Sequence, residues 1–255
     1  SRSSAASDVY KRQAYARANV AELHAADRVI SLPPYRVTIS EVANSVQIAS
    51  PEWTLRWDGR AVNIDDLEFP GLSGDASTDA YELGLLRTRV VDWFDPWGST
   101  NRTTIAEQTA DHLTLVTQVQ ANDCVIARRT TLRRGSDWLD VTLSVENTGA
   151  GEHSGRLWLW NGIGIPGFLE AGESCWEDDD ARLLGESTLL VTDESRFVAV
   201  EVDRGFWKLG GRGGDGASHA FREITLKTGE RIETPVRLTF GGDYPVGWDE
   251  RPAEG

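Results

Sequence analysis

The 255-residue sequence contains no methionine and only two cysteines, Cys124 and Cys175. Two thiols cannot build a disulfide scaffold or a cysteine-based zinc site. Histidine is scarce as well: His24, His112, His153 and His219 never fall in the H-x-x-x-H or H-E-x-x-H spacing that sets two imidazoles on one metal. No G-x-S-x-G turn of a serine hydrolase is present. The stretch Gly210-Gly-Arg-Gly-Gly-Asp-Gly lacks the G-K-[ST] ending of a P-loop and reads as a flexible loop. No apolar run approaches the ~18 residues of a membrane span. Positive charge is in short supply, with 26 Lys and Arg against 40 Asp and Glu and a formal net charge of −14. Nucleic-acid binding needs clustered cations, so this balance argues against it.

The missing methionine bears on the start of the chain. Ser3 to Gln13 reads SSAASDVYKRQ, which is codon for codon the translation of an adapter used in transposon-based sequencing libraries. Residues 1–13 are therefore expected to be adapter-derived and outside the fold. The chain is expected to be an open reading frame from a sequencing fragment, with its true start and an upstream domain missing. Without residues 1–13 the chain holds 23 basic and 39 acidic residues, a net −16, and only Lys208 and Lys227 are lysine. An Arg-over-Lys, Asp-rich balance reflects a GC-rich genome, adaptation to high salt, or both.

Ala14 to Ala26 is the one helical pattern, with Ala16, Val20 and Leu23 on a common face. Pro33-Pro34 closes that segment and reads as a linker. From Tyr35 the period changes to two. Trp53, Leu55 and Trp57 alternate with polar residues, as do Leu113, Leu115, Thr117 and Val119. The clearest case is Asp137 to Asn147, where Leu139, Val141, Leu143 and Val145 point one way. Val198, Val200 and Val202 repeat the pattern, and so do Val236, Leu238 and Phe240. Such alternation predicts strands with one face on a core and one exposed. Short turns at Asp58-Gly59, Gly135-Ser136-Asp137, Asn147-Thr148-Gly149 and Thr228-Gly229-Glu230 favour antiparallel neighbours. The expected fold is all-β: one large antiparallel β-sandwich over residues 35–245, followed by a tail at 246–255. Long loops at 71–80, 162–180 and 205–219 are its expected binding loops.

Asn122 to Trp160 carries a resemblance. It runs strand, turn, strand, turn, strand: Cys124-Val-Ile-Ala-Arg-Arg-Thr-Thr-Leu-Arg-Arg, then Gly135-Ser-Asp-Trp-Leu-Asp-Val-Thr-Leu-Ser-Val-Glu-Asn-Thr-Gly, then Arg156-Leu-Trp-Leu-Trp. This order, with Val-x-Asn-Thr closing the middle strand, resembles the galactose mutarotase-like β-supersandwich. Lys227 to Gly242 looks like the closing strands of such domains. The resemblance implies a protein that acts on sugars, either an aldose 1-epimerase or a sandwich domain of a larger glycoside hydrolase or polysaccharide lyase. The epimerases use a His in an Asn-His-x-Tyr-Phe-like motif as acid and a late Glu as base. This sequence departs from that pattern, since Asn147 is followed by Thr-Gly-Ala-Gly-Glu-His.

Ten tryptophans are the strongest compositional signal. An indole is a broad, rigid apolar plate with one N–H donor, suited either to filling a core or to stacking on a sugar ring. Trp158 and Trp160 lie two apart and share a face, while Leu157 and Leu159 supply the opposite one. Trp93, Asp95 and Trp97 combine rings with a carboxylate, and Trp176 precedes an acidic run. With Arg87, these are the expected substrate-binding residues. An oligosaccharide or polysaccharide is the expected partner, with neutral sugars favoured. Acid–base chemistry falls to His153 and His219 at loop level, with Glu177 as the carboxylate. Glu177-Asp178-Asp179-Asp180 offers oxygens to calcium but lacks the spacing of a D-x-D-x-D-G loop. No other cofactor is expected. In an exported setting, secreted or periplasmic, Cys124 and Cys175 would pair; two free thiols are the alternative. A non-catalytic structural or adhesion sandwich is the bland reading of the whole.

Overall fold

The period-two stretches form strands, and the structure, a computed structural model, describes residues 27–68, 84–96, 98–121, 123–162, 183–184, 187–193, 196–203, 205–212 and 217–241. Its named elements are all strands, and every named pair is antiparallel. A five-stranded sheet takes β1 (Arg28–Leu32), β2 (Tyr35–Ser40), β3 (Ser45–Ala49), β4 (Thr54–Trp57) and β5 (Asp66–Glu68) in chain order. A four-stranded sheet has the order β15 (Lys208–Arg212), β16 (Ala217–Leu226), β11 (His153–Gly162), β6 (Gly84–Val91). An eight-stranded sheet is built on β8 (His112–Ala121), β9 (Cys124–Arg133), β10 (Trp138–Asn147) and β17 (Arg231–Gly241). It is completed by β7 (Arg102–Gln108) beyond β8, and by β14 (Arg196–Val202), β13 (Ser187–Asp193) and β12 (Leu183–Leu184) beyond β17.

Alternation decides which face goes inward. Leu139, Val141, Leu143 and Val145 of β10 are buried, as are Val236, Leu238 and Phe240 of β17. The opposite face of these strands carries ion pairs, among them Asp140 with Arg133 (3.3 Å) and with Arg237 (3.1 Å). Exposed pairs of this kind stabilise by only about 0–1 kcal/mol, so the apolar face sets the register. One apolar cluster takes in residues of all three sheets. The five-stranded sheet docks on the eight-stranded one through rings: Trp53 lies 4.5 Å from Phe240 and 5.6 Å from Tyr35. The Tyr35 hydroxyl donates to the Ser136 carbonyl at 2.6 Å. Glycines at φ +75° (Gly135) and φ +76° (Gly229) allow the tight β9–β10 and β16–β17 turns.

Three expectations change. The expected loop at 205–219 supplies β15 and the first residues of β16. Pro33-Pro34 is the turn of the β1–β2 hairpin rather than a linker, so the folded unit includes β1. The Pro33 carbonyl accepts from Gly135 N at 3.0 Å, which ties that turn to the next sheet. Cys124 is buried and free of any disulfide; burial pushes its thiol up to about 12, with the Asp123 charge adding to the rise. A thiol held protonated in this way is a poor nucleophile. Cys175 and the helical pattern at 14–26 lie outside the described residues.

The interior also holds a charge. Arg128, on the inward face of β9, is fully buried. Its guanidinium lies 4.4 Å from the Trp57 ring centroid, and Nη1 donates to the Val62 carbonyl at 2.6 Å. Asp65 stands beside it, accepting from Asp58 N at 2.8 Å and from the Asn63 side-chain amide. Burial lowers the guanidinium to about 9, with the Asp65 charge opposing, so it stays charged at neutral pH. Burial raises the Asp65 carboxyl well above the usual range, helped by Asp58 and opposed by Arg128. The native state therefore binds a proton at higher pH than the unfolded chain does. That contribution to stability is full below the unfolded carboxylate value of about 3.9 and is lost as pH rises through the raised native value. Asp65→Asn is expected to flatten this fall. Urea denaturation from about pH 4 upward checks it, each pH unit of separation being worth about 1.4 kcal/mol. An unchanged slope would show that Asp65 does not couple to folding.

Candidate functional site

The four-stranded sheet turns one face to the core and one outward. On β11, Leu157 and Leu159 are buried, while Trp158 and Trp160 on the other side are half-buried. Directly opposed antiparallel residues share a face, so the register extends this one across its neighbours. Arg89, Trp158, Phe221 and Lys208 form a single row across β6, β11, β16 and β15. The next row brings Arg87 beside Trp160 and aligns Trp160 with position 219 of β16. Arg156 lies one pair along from Trp158 in the other direction, opposite Glu223.

Contacts within the face are cation-on-ring and cation-on-carboxylate. The Arg89 guanidinium sits 4.2 Å over the Trp158 ring centroid, and its Nη1 lies 3.3 Å from Asp95 Oδ2. Arg156 lies 5.4 Å from the Phe221 centroid, with Nε 2.6 Å from Glu223 Oε1. Arg87 is buried, at 7% exposure. The buried Asn161 anchors this corner, its Oδ1 accepting from Leu86 N at 2.8 Å. Leu86 has φ +58°, a left-handed conformation costly for a branched residue, and the register slips between Trp160 and Gly162. Chemically, the face offers apolar plates, guanidinium donors and two carboxylate acceptors. That set suits a ligand with C–H faces and hydroxyls.

A second constellation gathers at the start of β11. His153 Nε2 lies 2.8 Å from Asp123 Oδ2, and Trp93 Nε1 donates to Asp123 Oδ1 at 3.3 Å. The Trp93 and His153 rings stack, 4.8 Å apart and 5° from parallel. The close approach of Gly149 to Asp123 leaves no room for a side chain there, since an added Cβ would stand 2.6 Å from the Asp123 Cβ. A carboxylate at Nε2 fixes the imidazole orientation and leaves Nδ1 as the acceptor when the ring is neutral. The cluster joins the β8–β9, β10–β11 and post-β6 turns.

The sequence-predicted residues therefore divide. Arg87, Trp158 and Trp160 share one face, and Asp95 reaches it through Arg89. Trp93 and His153 meet elsewhere, because residue 153 falls on the Leu157/Leu159 side of β11 by strand parity. His219 pairs with Trp160 in the backbone register. Trp97, Trp176, Glu177 and the acidic run at 177–180 lie outside the described residues. Among the described residues, no three His, Cys, Asp or Glu gather as a metal site, and no helix is long and apolar enough to cross a membrane. Sequence reasoning missed Arg89, Phe221, Lys208 and Asp123. Only strand order brings the first three to Trp158, and Asp123 is 30 residues from His153.

Neither a family model nor a curated protein matches the chain. Solved structures do share its fold. One, from Klebsiella pneumoniae subsp. pneumoniae and described as a candidate aldose 1-epimerase, is 9% identical with a TM-score of 0.53, over 91% of this chain and 92% of that one. Another, a TPR-domain containing protein from Parabacteroides distasonis, is 10% identical with a TM-score of 0.52, over 83% of this chain. The chain spans about half of that second protein, 48% of its length. The molecule is thus an all-β antiparallel protein with the fold of the candidate aldose 1-epimerase.

Proposed function

We propose that this chain is a carbohydrate-binding β-supersandwich, a module of a polysaccharide-active enzyme, which takes its sugar on the outward face of the four-stranded sheet. The observation that carries the reading is the Trp158–Phe221 cross-strand pair with Trp160 beside it, on the side of β11 that the core does not use. Core packing is already met there by Leu157 and Leu159, and among the described residues the two indoles on the other face stand outside the apolar cluster. The shared fold with a candidate aldose 1-epimerase supports the same direction. Titration of an oligosaccharide panel against tryptophan fluorescence is expected to give saturable quenching. Trp160→Ala is expected to weaken it about tenfold or more, as truncation of a central aromatic anchor does. No quenching with any glycan would favour a purely structural sandwich.

A second reading rests on the Asp123–His153 pair, whose geometry is that of an oriented acid–base group. It makes the chain an epimerase-like or lyase-like enzyme, with Nδ1 of His153 exchanging the proton. His153→Ala would then abolish anomer interconversion measured by polarimetry. Equal rates for parent and variant would leave His153 as a clasp between turns.

A further inference from the structure

The same face carries more cations than carboxylates among the described residues, although the chain as a whole is acidic. The chain has a formal net charge of −14. Yet among the described residues the register places the exposed Lys208 and Arg156, the half-buried Arg89 and the buried Arg87 on this one side of the four-stranded sheet, with Glu223 and the loop residue Asp95 as its carboxylates. The row through Trp158 is ordered cation, indole, phenyl ring, cation, with Arg89 at one end and Lys208 at the other. At ~4.8 Å between strands, its ends stand on the order of 14 Å apart, longer than one sugar ring. We infer that the occupant of this face is an anionic glycan, a carboxylated or sulfated oligosaccharide, rather than a neutral one; this rests on the carbohydrate reading above.

Three features carry the inference. First, an excess of cations over carboxylates gives this face a local positive field, which attracts an anionic ligand although the chain as a whole is acidic. Second, the ion pairs of Arg89 with Asp95 and of Arg156 with Glu223 are partly or largely solvent-exposed, with side-chain exposures of 31% and 45%, then 53% and 66%. Exposed pairs are weakly held, so a ligand carboxylate or sulfate can take over the guanidinium, and an Arg fork suits such planar anions. Third, the aromatic rings between the cations offer plates to sugar C–H faces, while Asp95 and Glu223 accept hydroxyl protons. A nucleic-acid strand also stacks on rings beside cations. Its closely spaced phosphates would meet Asp95 and Glu223 head-on, and it has fewer hydroxyls to offer them. That makes it the lesser fit.

The test uses the full chain and isothermal titration at low and raised salt. The probes are hexagalacturonate, a heparin-derived hexasaccharide, neutral cellohexaose, poly-glutamate and a single-stranded oligothymidylate. One or both anionic hexasaccharides are expected to bind about tenfold or more tighter than cellohexaose, the difference shrinking as salt rises. Which of the two binds tells carboxylate from sulfate recognition. Lys208→Gln and Arg156→Gln alter exposed side chains, so the fold is retained, and each is expected to reduce that binding about tenfold. Cellohexaose binding as well as the anionic sugars would overturn the inference and keep the carbohydrate reading. Poly-glutamate or oligothymidylate binding as tightly as the sugars would also overturn it, in favour of simple polyanion or nucleic-acid binding. No binding by any hexasaccharide would remove the carbohydrate reading itself.

Discussion

Arg128→Ala is expected to lower stability by about 3–5 kcal/mol, because it leaves one member of a buried charge pair without the other. Three losses combine. The Val62 carbonyl loses its 2.6 Å donor, Trp57 loses the guanidinium packed 4.4 Å from its centroid, and Asp65 loses the positive charge that opposes the rise of its carboxyl. A cavity adds to these in the alanine variant. Arg128→Met separates volume from charge: it fills most of the space but still strands Asp65, so it is expected to recover only the cavity portion. Adding Asp65→Asn to Arg128→Met then removes the stranded carboxylate as well. That double variant is expected to regain much of the loss, because Nε and Nη2 of Arg128 find no hydrogen-bond partner among the described residues and the parent guanidinium is itself incompletely satisfied. Chemical denaturation of the four proteins forms a double-mutant cycle. Additive losses in Arg128→Met and Asp65→Asn would show that the two charges do not couple across the sheet junction.

Much of this fold was legible because its strands obey period two. The four alternating apolar residues of β10 are buried as their spacing requires, and the turns at Gly135 and Gly229 stand where a positive φ is needed. Pro33-Pro34 misled because the residues before it carry helical spacing, while β1 pairs residue by residue with β2 across that turn. Of the outward face, Trp158 and Trp160 were legible, since an i, i+2 indole pair set against an i, i+2 leucine pair has only one way to lie in a half-buried strand. The rest was not. Arg89 and Lys208 flank the ring pair only through the order β6–β11–β16–β15, which joins segments more than a hundred residues apart. Without that order the acidic composition pointed to neutral sugars. With it, the local charge on the sheet supports the anionic glycan proposed above. Arg128 was illegible for another reason. Beside Arg129 it looks like one of two surface cations, yet strand parity turns residue 128 to the core and 129 to solvent.

Asn147→Ala is the second large expected effect, and it gives a physical reason for the Asn-Thr-Gly run that closes β10. The side chain is fully buried and all three of its hydrogen bonds go to backbone. Its amide donates to the Gly151 carbonyl at 2.7 Å and the Leu226 carbonyl at 2.8 Å, and its oxygen accepts from Gly149 N at 2.9 Å. Its own main chain bonds Glu230 and Gly229 in the β16–β17 turn. One residue thus holds the β10–β11 turn against the end of β16, joining the eight-stranded sheet to the sheet that bears the candidate binding face. Alanine would strand the buried Leu226 carbonyl, at about 1–3 kcal/mol for a buried group without a partner, and would release the partly buried Gly151 carbonyl and Gly149 N–H, so a loss of about 2 kcal/mol or more is expected. Asn147→Asp tests whether polarity or shape matters. The new carboxylate has nearly the same shape but turns acceptors toward the Gly151 and Leu226 oxygens, so at neutral pH it should destabilise more than alanine does. Burial would raise its native pKa above the unfolded carboxylate value of about 3.9. Stability should therefore be best at acid pH, where the protonated group can donate one bond, and should fall as pH rises through the raised value. Thermal denaturation of parent, Asn147→Ala and Asn147→Asp across pH reads this directly. If Asn147→Asp kept the parent stability at every pH while Asn147→Ala lost it, the turn would depend on the volume of Asn147 and not on its hydrogen bonds.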